Sequence, residues 1–168
     1  MSQRLRNNFS PMTALSTHKQ SKLLYSWQDF DYDIRILINQ INESLWIPDY
    51  IVGVKRGGLI PAIKLSHYFN KPLIMMSCQL RDSTDNEVRL YEVEEIHETK
   101  NILIVDDICD SGLTFTKIIR EFHVKGHNSV RTCSLFYNTE QSFVVDYNSR
   151  SLDRSQDKQW IVFPWENI

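Results

Sequence analysis

The sequence predicts an α/β fold, a Rossmann-like and mostly parallel β-sheet flanked by helices. Two observations predict it. Short aliphatic runs alternate along the chain with helical hydrophobic periodicity, and those runs are apolar at successive positions, as in strands covered on both faces. Ligands on such sheets sit beyond the carboxyl ends of the strands. Two unusual loops, Lys55-Arg56-Gly57-Gly58 and Asp106 to Thr114, directly follow such runs.

Taken in order, Leu23-Leu24-Tyr25 reads as a short strand. Ser26 with Asp29 forms a capping-box pattern, in which side chains satisfy the first amides of a helix. Ile34, Leu37, Ile38 and Ile41 then repeat at helical spacing, predicting a helix to about Glu43. Tyr50 to Val54 is a strand, followed by the basic glycine turn and a helix from Leu59 to Phe69. Leu73 to Met76 is a further strand, and Gln79 to Arg89 is polar without a period, so a long mobile loop is expected. Ile102 to Val105 is the clearest strand; Phe115 to Lys125 is the helix after it. Val130 to Phe136 and Phe143 to Tyr147 complete the strands.

The bulk properties fit one soluble domain. The chain has 168 residues, 42% of them hydrophobic and 24% charged. Nineteen basic and twenty-one acidic residues give a net charge of -2, which argues against a dedicated nucleic-acid binder. No apolar run approaches the ~20 residues of a membrane-spanning helix. Three cysteines without paired spacing argue against a disulfide framework and for the reducing cytoplasm. Residues 1–21 are read as a flexible polar arm and residues 22–168 as the domain. The arm carries Arg4, Arg6 and Lys19 and no acid, so organelle targeting is its alternative role.

The acidic loop carries the chemistry. Backbone amides of Ser111, Gly112, Leu113 and Thr114 at a helix start form a site for a phosphate monoester. Gly112 permits the tight backbone, and the Ser111 and Thr114 hydroxyls add donors. Asp106 and Asp107 suit a sugar diol or the shell of a Mg²⁺ ion. A P-loop is excluded, because no Gly-Lys-Ser/Thr ending follows. A phosphoaspartate receiver site would leave the Ser-Gly-Leu-Thr turn unexplained. Cys109 has no histidine placed to activate it, and His67, His97, His123 and His127 lack metal-ligand spacing.

The run from Ile104 through Asp106-Asp107 and Asp110-Ser111-Gly112 to Thr114 resembles the phosphoribosyl-pyrophosphate motif of type I phosphoribosyltransferases, with Ser111 in place of the usual Thr. Trp160 to Glu166 resembles the end of the xanthine-guanine branch, and the likeness runs from about Leu23 to Glu166. The resemblance implies a small hood built from N- and C-terminal segments. It implies transfer of ribose 5-phosphate from phosphoribosyl pyrophosphate to a 6-oxopurine, giving a nucleoside monophosphate and pyrophosphate in purine salvage. Mg²⁺ is the implied cofactor, and a homodimer or homotetramer the implied assembly.

By the same resemblance, Asp106, Asp107, Asp110, Ser111, Gly112, Leu113 and Thr114 hold the phosphoribosyl group, with Asp107 at the metal. Lys55, Arg56, Gly57 and Arg89 serve pyrophosphate, with residues Gln79 to Arg89 as a lid. The Lys55-to-Gly58 turn often holds a cis peptide in the family. Asp110 is the general base for the purine N7 proton. Trp160 stacks on the base, and the Ile161 backbone reads its edge. Asn138 stands where the family places a base-binding Lys, which weakens the case for a 6-oxopurine. Asn148 to Gln159 is also longer and more polar than the branch usually carries. Adenine as acceptor, or a non-catalytic binding regulator, are the rival readings.

Overall fold

The computed structural model describes residues 21–78, 88–90, 96 and 100–166. The N-terminal arm and most of the expected lid therefore lie outside the described residues.

Six strands form the main sheet in the order β4-β3-β2-β5-β6-β7. They are β2 (Tyr50–Val54), β3 (Leu73–Cys78), β4 (Val88–Leu90), β5 (Ile102–Cys109), β6 (Val130–Asn138) and β7 (Tyr147–Leu152). Only β4 is antiparallel, pairing with β3. Helices α1 (Trp27–Glu43) and α2 (Leu59–Phe69) cover one face, and α3 (Leu113–Val124) covers the other. The alternation of strand side chains explains both layers. Leu103 and Val105 of β5 join Leu37, Ile41 and Leu65 on the first face. Ile102 and Ile104 join Phe115, Ile118 and Phe122 on the second.

The order of strands places the site. After β2 the chain turns through α2 toward β3, and after β5 it turns through α3 toward β6 on the opposite side. β2 and β5 are neighbours, paired from Tyr50↔Ile102 to Gly53↔Val105. A crevice therefore opens between their carboxyl ends, where the connections diverge.

A two-stranded ribbon forms the hood: β1 (Lys22–Leu24) pairs in parallel with β8 (Trp160–Val162). Its underside is an aromatic cluster of Tyr25, Phe136, Phe163 and Trp165. Polar contacts fasten it to α1 and β7. The Tyr25 hydroxyl donates to Asp33 Oδ2 at 2.7 Å. Arg150 Nε lies 2.7 Å from the same oxygen, and Arg150 Nη2 lies 2.9 Å from Asp29 Oδ1. Asp29 also closes the capping box with Ser26, as expected from the sequence. Hydrogen bonds from Ser26, then from Arg150, hold its carboxyl down at about 2.

Three expectations need correction. Phe143 to Tyr147 is not a strand; the strand begins at Tyr147 and runs to Leu152. Val144 is exposed, and Phe143 instead stacks on Phe115 across α3. β7 is an edge strand, so its polar YNSRSL sequence carries no apolar signature. β5 does not end at Val105 but continues through the acidic residues to Cys109, with Ile108 and Cys109 paired to Phe136 and Tyr137. The expected loop from Gln79 is bounded by a strand, since Arg89 pairs with Ser77.

The Asp33 carboxylate is 1% exposed, so removing its cation should be costly. Arg150→Ala is expected to destabilise the fold by about 2–4 kcal/mol, measured by urea unfolding. A loss below about 0.5 kcal/mol would class the pair with ordinary surface ion pairs.

Candidate active site

The Lys55–Gly58 turn lies directly against the acidic end of β5. A Cβ on Gly57 would stand 1.9 Å from Asp107 Oδ2. A Cβ on Gly58 would stand 2.3 Å from the Val105 carbonyl oxygen and 2.8 Å from Asp106 Cα. Only glycine allows this approach at either position. The Lys55 amide donates to the Met76 carbonyl at 2.7 Å, and the Gly58 amide to that of Val54 at 2.9 Å, so the turn is anchored at both ends. The Lys55–Arg56 peptide is cis. Both basic side chains are exposed.

Asp106 and Asp107 share a confined space. The Asp107 amide donates to Asp106 Oδ1 at 3.0 Å. Burial, and then the neighbouring Asp107 charge, push the Asp106 carboxyl well above the usual carboxylate range. Burial also raises Asp107, to about 6, with Glu166 adding to the rise. Two desolvated acids side by side disfavour full ionisation, and a cation would restore it. The pair therefore fits a Mg²⁺ shell. Among the described residues no cluster of three His, Cys, Asp or Glu side chains could hold a metal alone. Such an ion would take its other ligands from substrate oxygens and water, as Mg²⁺ usually does.

Beyond the acids, Gly112 takes the left-handed conformation at φ 72° and stands as the N-cap of α3. No side chain caps that helix start. Ser111 Oγ accepts from the Leu113 amide only at 3.4 Å. Phe143 packs under the turn, since a Cβ on Gly112 would meet it at 2.3 Å. Ser111, Gly112, Leu113 and Thr114 thus form a turn at the start of α3 whose amides have the geometry an anion requires.

A cleft of about 500 Å³ adjoins this turn, lined by Asp110, Ser111, Asn138, Arg154, Lys158 and Trp160 among others. The volume lies in the range of ligand sites, roughly 300–1,000 Å³. Trp160 is 53% exposed and begins β8, while Ile161 beside it is buried. Asn138 is 2% exposed, and its amide nitrogen lies 3.1 Å from the Asp110 carbonyl oxygen and 3.4 Å from Asp110 Oδ1. Its oxygen accepts from the Glu140 amide at 3.2 Å. Asn138 thus supports Asp110, and its amide is already engaged in the fold.

The structure brings Lys55, Arg56, Gly57, Asp106, Asp107, Asp110 and the Ser111-to-Thr114 turn to one end of the sheet, with Trp160 and Ile161 on the hood beside it. The backbone of Arg89 lies on β4, with β3 and β2 between it and the acids of β5. Sequence reading misses Arg154. It sits in a polar stretch without period, and only the fold carries it to Asp110.

Comparison with known proteins agrees with this arrangement. The profile described as "Phosphoribosyl transferase domain" matches residues 20–167. The chain is 30% identical over 146 residues to a xanthine-guanine phosphoribosyltransferase of Gluconobacter oxydans, covering 84% of this chain and 82% of that protein. It is 29% identical over 144 residues to the protein of the same name from Chromohalobacter salexigens, with the same two coverages. Among solved structures, a purine phosphoribosyltransferase from Pyrococcus horikoshii superposes with a TM-score of 0.75 at 31% identity. That match covers 88% of this chain and 95% of the other.

The raised acid predicts a pH effect with a definite sign. Below its unfolded value of 3.8 the Asp107 carboxyl is protonated in both states. Between 3.8 and about 6 the unfolded chain has released the proton while the folded chain keeps it. Its contribution to stability therefore falls as pH rises through that window. The thermal midpoint of Asp107→Asn is expected to rise relative to the unsubstituted protein from pH 4 to pH 6.5. A difference independent of pH would contradict the raised value.

Proposed function

The chain belongs to the phosphoribosyltransferase family, and we propose that it transfers ribose 5-phosphate from phosphoribosyl pyrophosphate to a 6-oxopurine. The observation that carries this reading is the continuity of two subsites. An uncapped helix start follows two desolvated acids, and a cleft flanked by an exposed Trp opens on Asp110, which lies between them in the chain. The first subsite suits a phosphorylated sugar; the second suits a flat base, where stacking on Trp160 contributes ~1–3 kcal/mol.

In this reading the amides of Ser111 to Thr114 hold the 5-phosphate. Asp106 and Asp107 accept hydrogen bonds from the ribose hydroxyls, with Asp107 also in the metal shell. Lys55, Arg56 and the Gly57 backbone, with Arg89, bind pyrophosphate. Mg²⁺, when bound, supplies charge that stabilises the departing pyrophosphate. The bond from ribose C1 to the pyrophosphate oxygen breaks and pyrophosphate keeps its electron pair. A ring nitrogen of the base bonds to C1, and Asp110 accepts the proton the ring loses. Trp160 and the Ile161 backbone fix the plane of the base. An exposed carboxylate beside the cleft (61% for the Asp110 side chain) can reach a ring nitrogen without rearrangement of the sheet.

The assembly proposed is a homodimer or homotetramer acting in the cytoplasm. Among the described residues no helix is long and apolar enough to cross a membrane.

Two outcomes test the reading. With Mg²⁺ and the donor, pyrophosphate release is expected with guanine, xanthine or hypoxanthine; release with adenine alone would overturn the acceptor assignment. Donor binding without release for any base would instead identify a regulator. Asp110→Asn is expected to lower kcat by roughly 10²-fold or more while donor affinity changes little, because proton transfer matters only in the transition state. Equal losses in both would make Asp110 a structural residue.

A further inference from the structure

We propose that Arg154 is the specificity-determining residue of the base cleft, donating from its guanidinium to an exocyclic carbonyl oxygen of the base. This rests on the purine-transfer reading above. It adds a residue that neither the motif nor the strand pattern points to.

Three observations converge on Arg154. It lines the cleft together with Trp160 and Asp110. Its Nε donates to Asp110 Oδ1 at 3.2 Å, and its Nη1 donates to the Gln159 carbonyl oxygen at 2.7 Å. The side chain thus joins the acid at the end of β5 to the residue just before Trp160. The planar guanidinium is held at both of those nitrogens, which leaves Nη2 without a hydrogen-bond partner among the described residues. Its side chain is only 23% exposed, so the charge sits largely within the cleft wall.

The neighbouring polar group does not compete for this role. The Asn138 amide nitrogen is directed at Asp110, and its oxygen is taken by the Glu140 amide. A hydrogen bond donated by Asn138 to a base carbonyl would therefore break an existing bond in a buried position.

A guanidinium donates and never accepts. A base stacked on Trp160 with a ring carbonyl toward Arg154 gains a charge-assisted hydrogen bond. A base with an amino group at that position brings donor against donor. Arg154 would thus discriminate oxopurines from aminopurines by chemistry rather than by size. Arg154 also holds Asp110 and Gln159, so its loss could act through position alone, and selectivity separates the two effects.

The test compares Arg154→Gln and Arg154→Lys with the unsubstituted enzyme, using guanine, hypoxanthine and adenine as acceptors. Dissociation constants for GMP and AMP are measured beside them by calorimetry. Arg154→Gln is expected to lower the ratio of kcat/KM for guanine over adenine by at least about tenfold. It should weaken GMP by a similar factor, leave AMP nearly unchanged, and leave the KM for the donor nearly unchanged. Arg154→Lys should recover part of the GMP affinity. Equal losses for all bases and both nucleotides would overturn the proposal and leave Arg154 a positioning residue. A shift in selectivity with Lys158→Met but not Arg154→Gln would also overturn it. An unsubstituted enzyme that transfers to no purine would sink the underlying reading, whereas an active enzyme insensitive to Arg154→Gln would sink this inference alone.

Discussion

The close approach of the Gly57-Gly58 turn to the Asp106-Asp107 carboxyls is the constraint on which the rest of the site depends. Neither glycine can carry a side chain without displacing Asp107 or the β5 backbone. That approach is possible because β2 and β5 are adjacent while their connections leave in opposite directions. It sets a turn that carries two exposed basic residues against two acids whose carboxyls burial pushes up. A site for a phosphorylated sugar with a metal needs this combination. In the function proposed above, the cations serve the leaving group and the acids the sugar and the ion. Crowding two acids out of water is unfavourable unless a rigid scaffold holds them, and here parallel strands provide it.

The acceptor side is built differently. Trp160 stands on β8, a three-residue strand paired with the equally short β1. The ribbon holds its position through aromatic packing beneath it and through Arg150 bridging to Asp29 and Asp33. Arg154 then links its leading edge to Asp110. The proposed donor subsite thus rests on the sheet, whereas the proposed base subsite rests on side-chain contacts that substitution alters more easily.

Much of this architecture is legible in the amino-acid sequence itself. The capping box, the helix from Trp27 to Glu43, and strand Tyr50–Val54 with its turn follow from local pattern. So does the glycine turn at Gly112 that opens α3, because its residues are contiguous in sequence. The features that escape such a reading lack local contrast. β7 is polar because it lies at an edge, while Phe143 and Val145 have the composition of a strand but pack against the α3 face. The extension of β5 through Asp106 and Asp107 is set by pairing with β6, which no local propensity reveals. Asn138 lines the cleft, and the contact of its amide with Asp110 forms only where β6 runs beside β5. Arg154 gives no local signal, since its partners lie 44 and 5 residues away in a cleft that exists only after folding.

The most direct measurement is a calorimetric titration of phosphoribosyl pyrophosphate with Mg²⁺ into Gly57→Ala, beside the unsubstituted protein. The added methyl must drive the Asp107 carboxyl from its place, and a misplacement of this kind is predicted to weaken donor binding on the order of 10²-fold while the circular dichroism spectrum stays native. A folded Gly57→Ala protein that binds the donor as tightly as its parent would contradict the account, because the contact between turn and acid would then play no part in holding the donor.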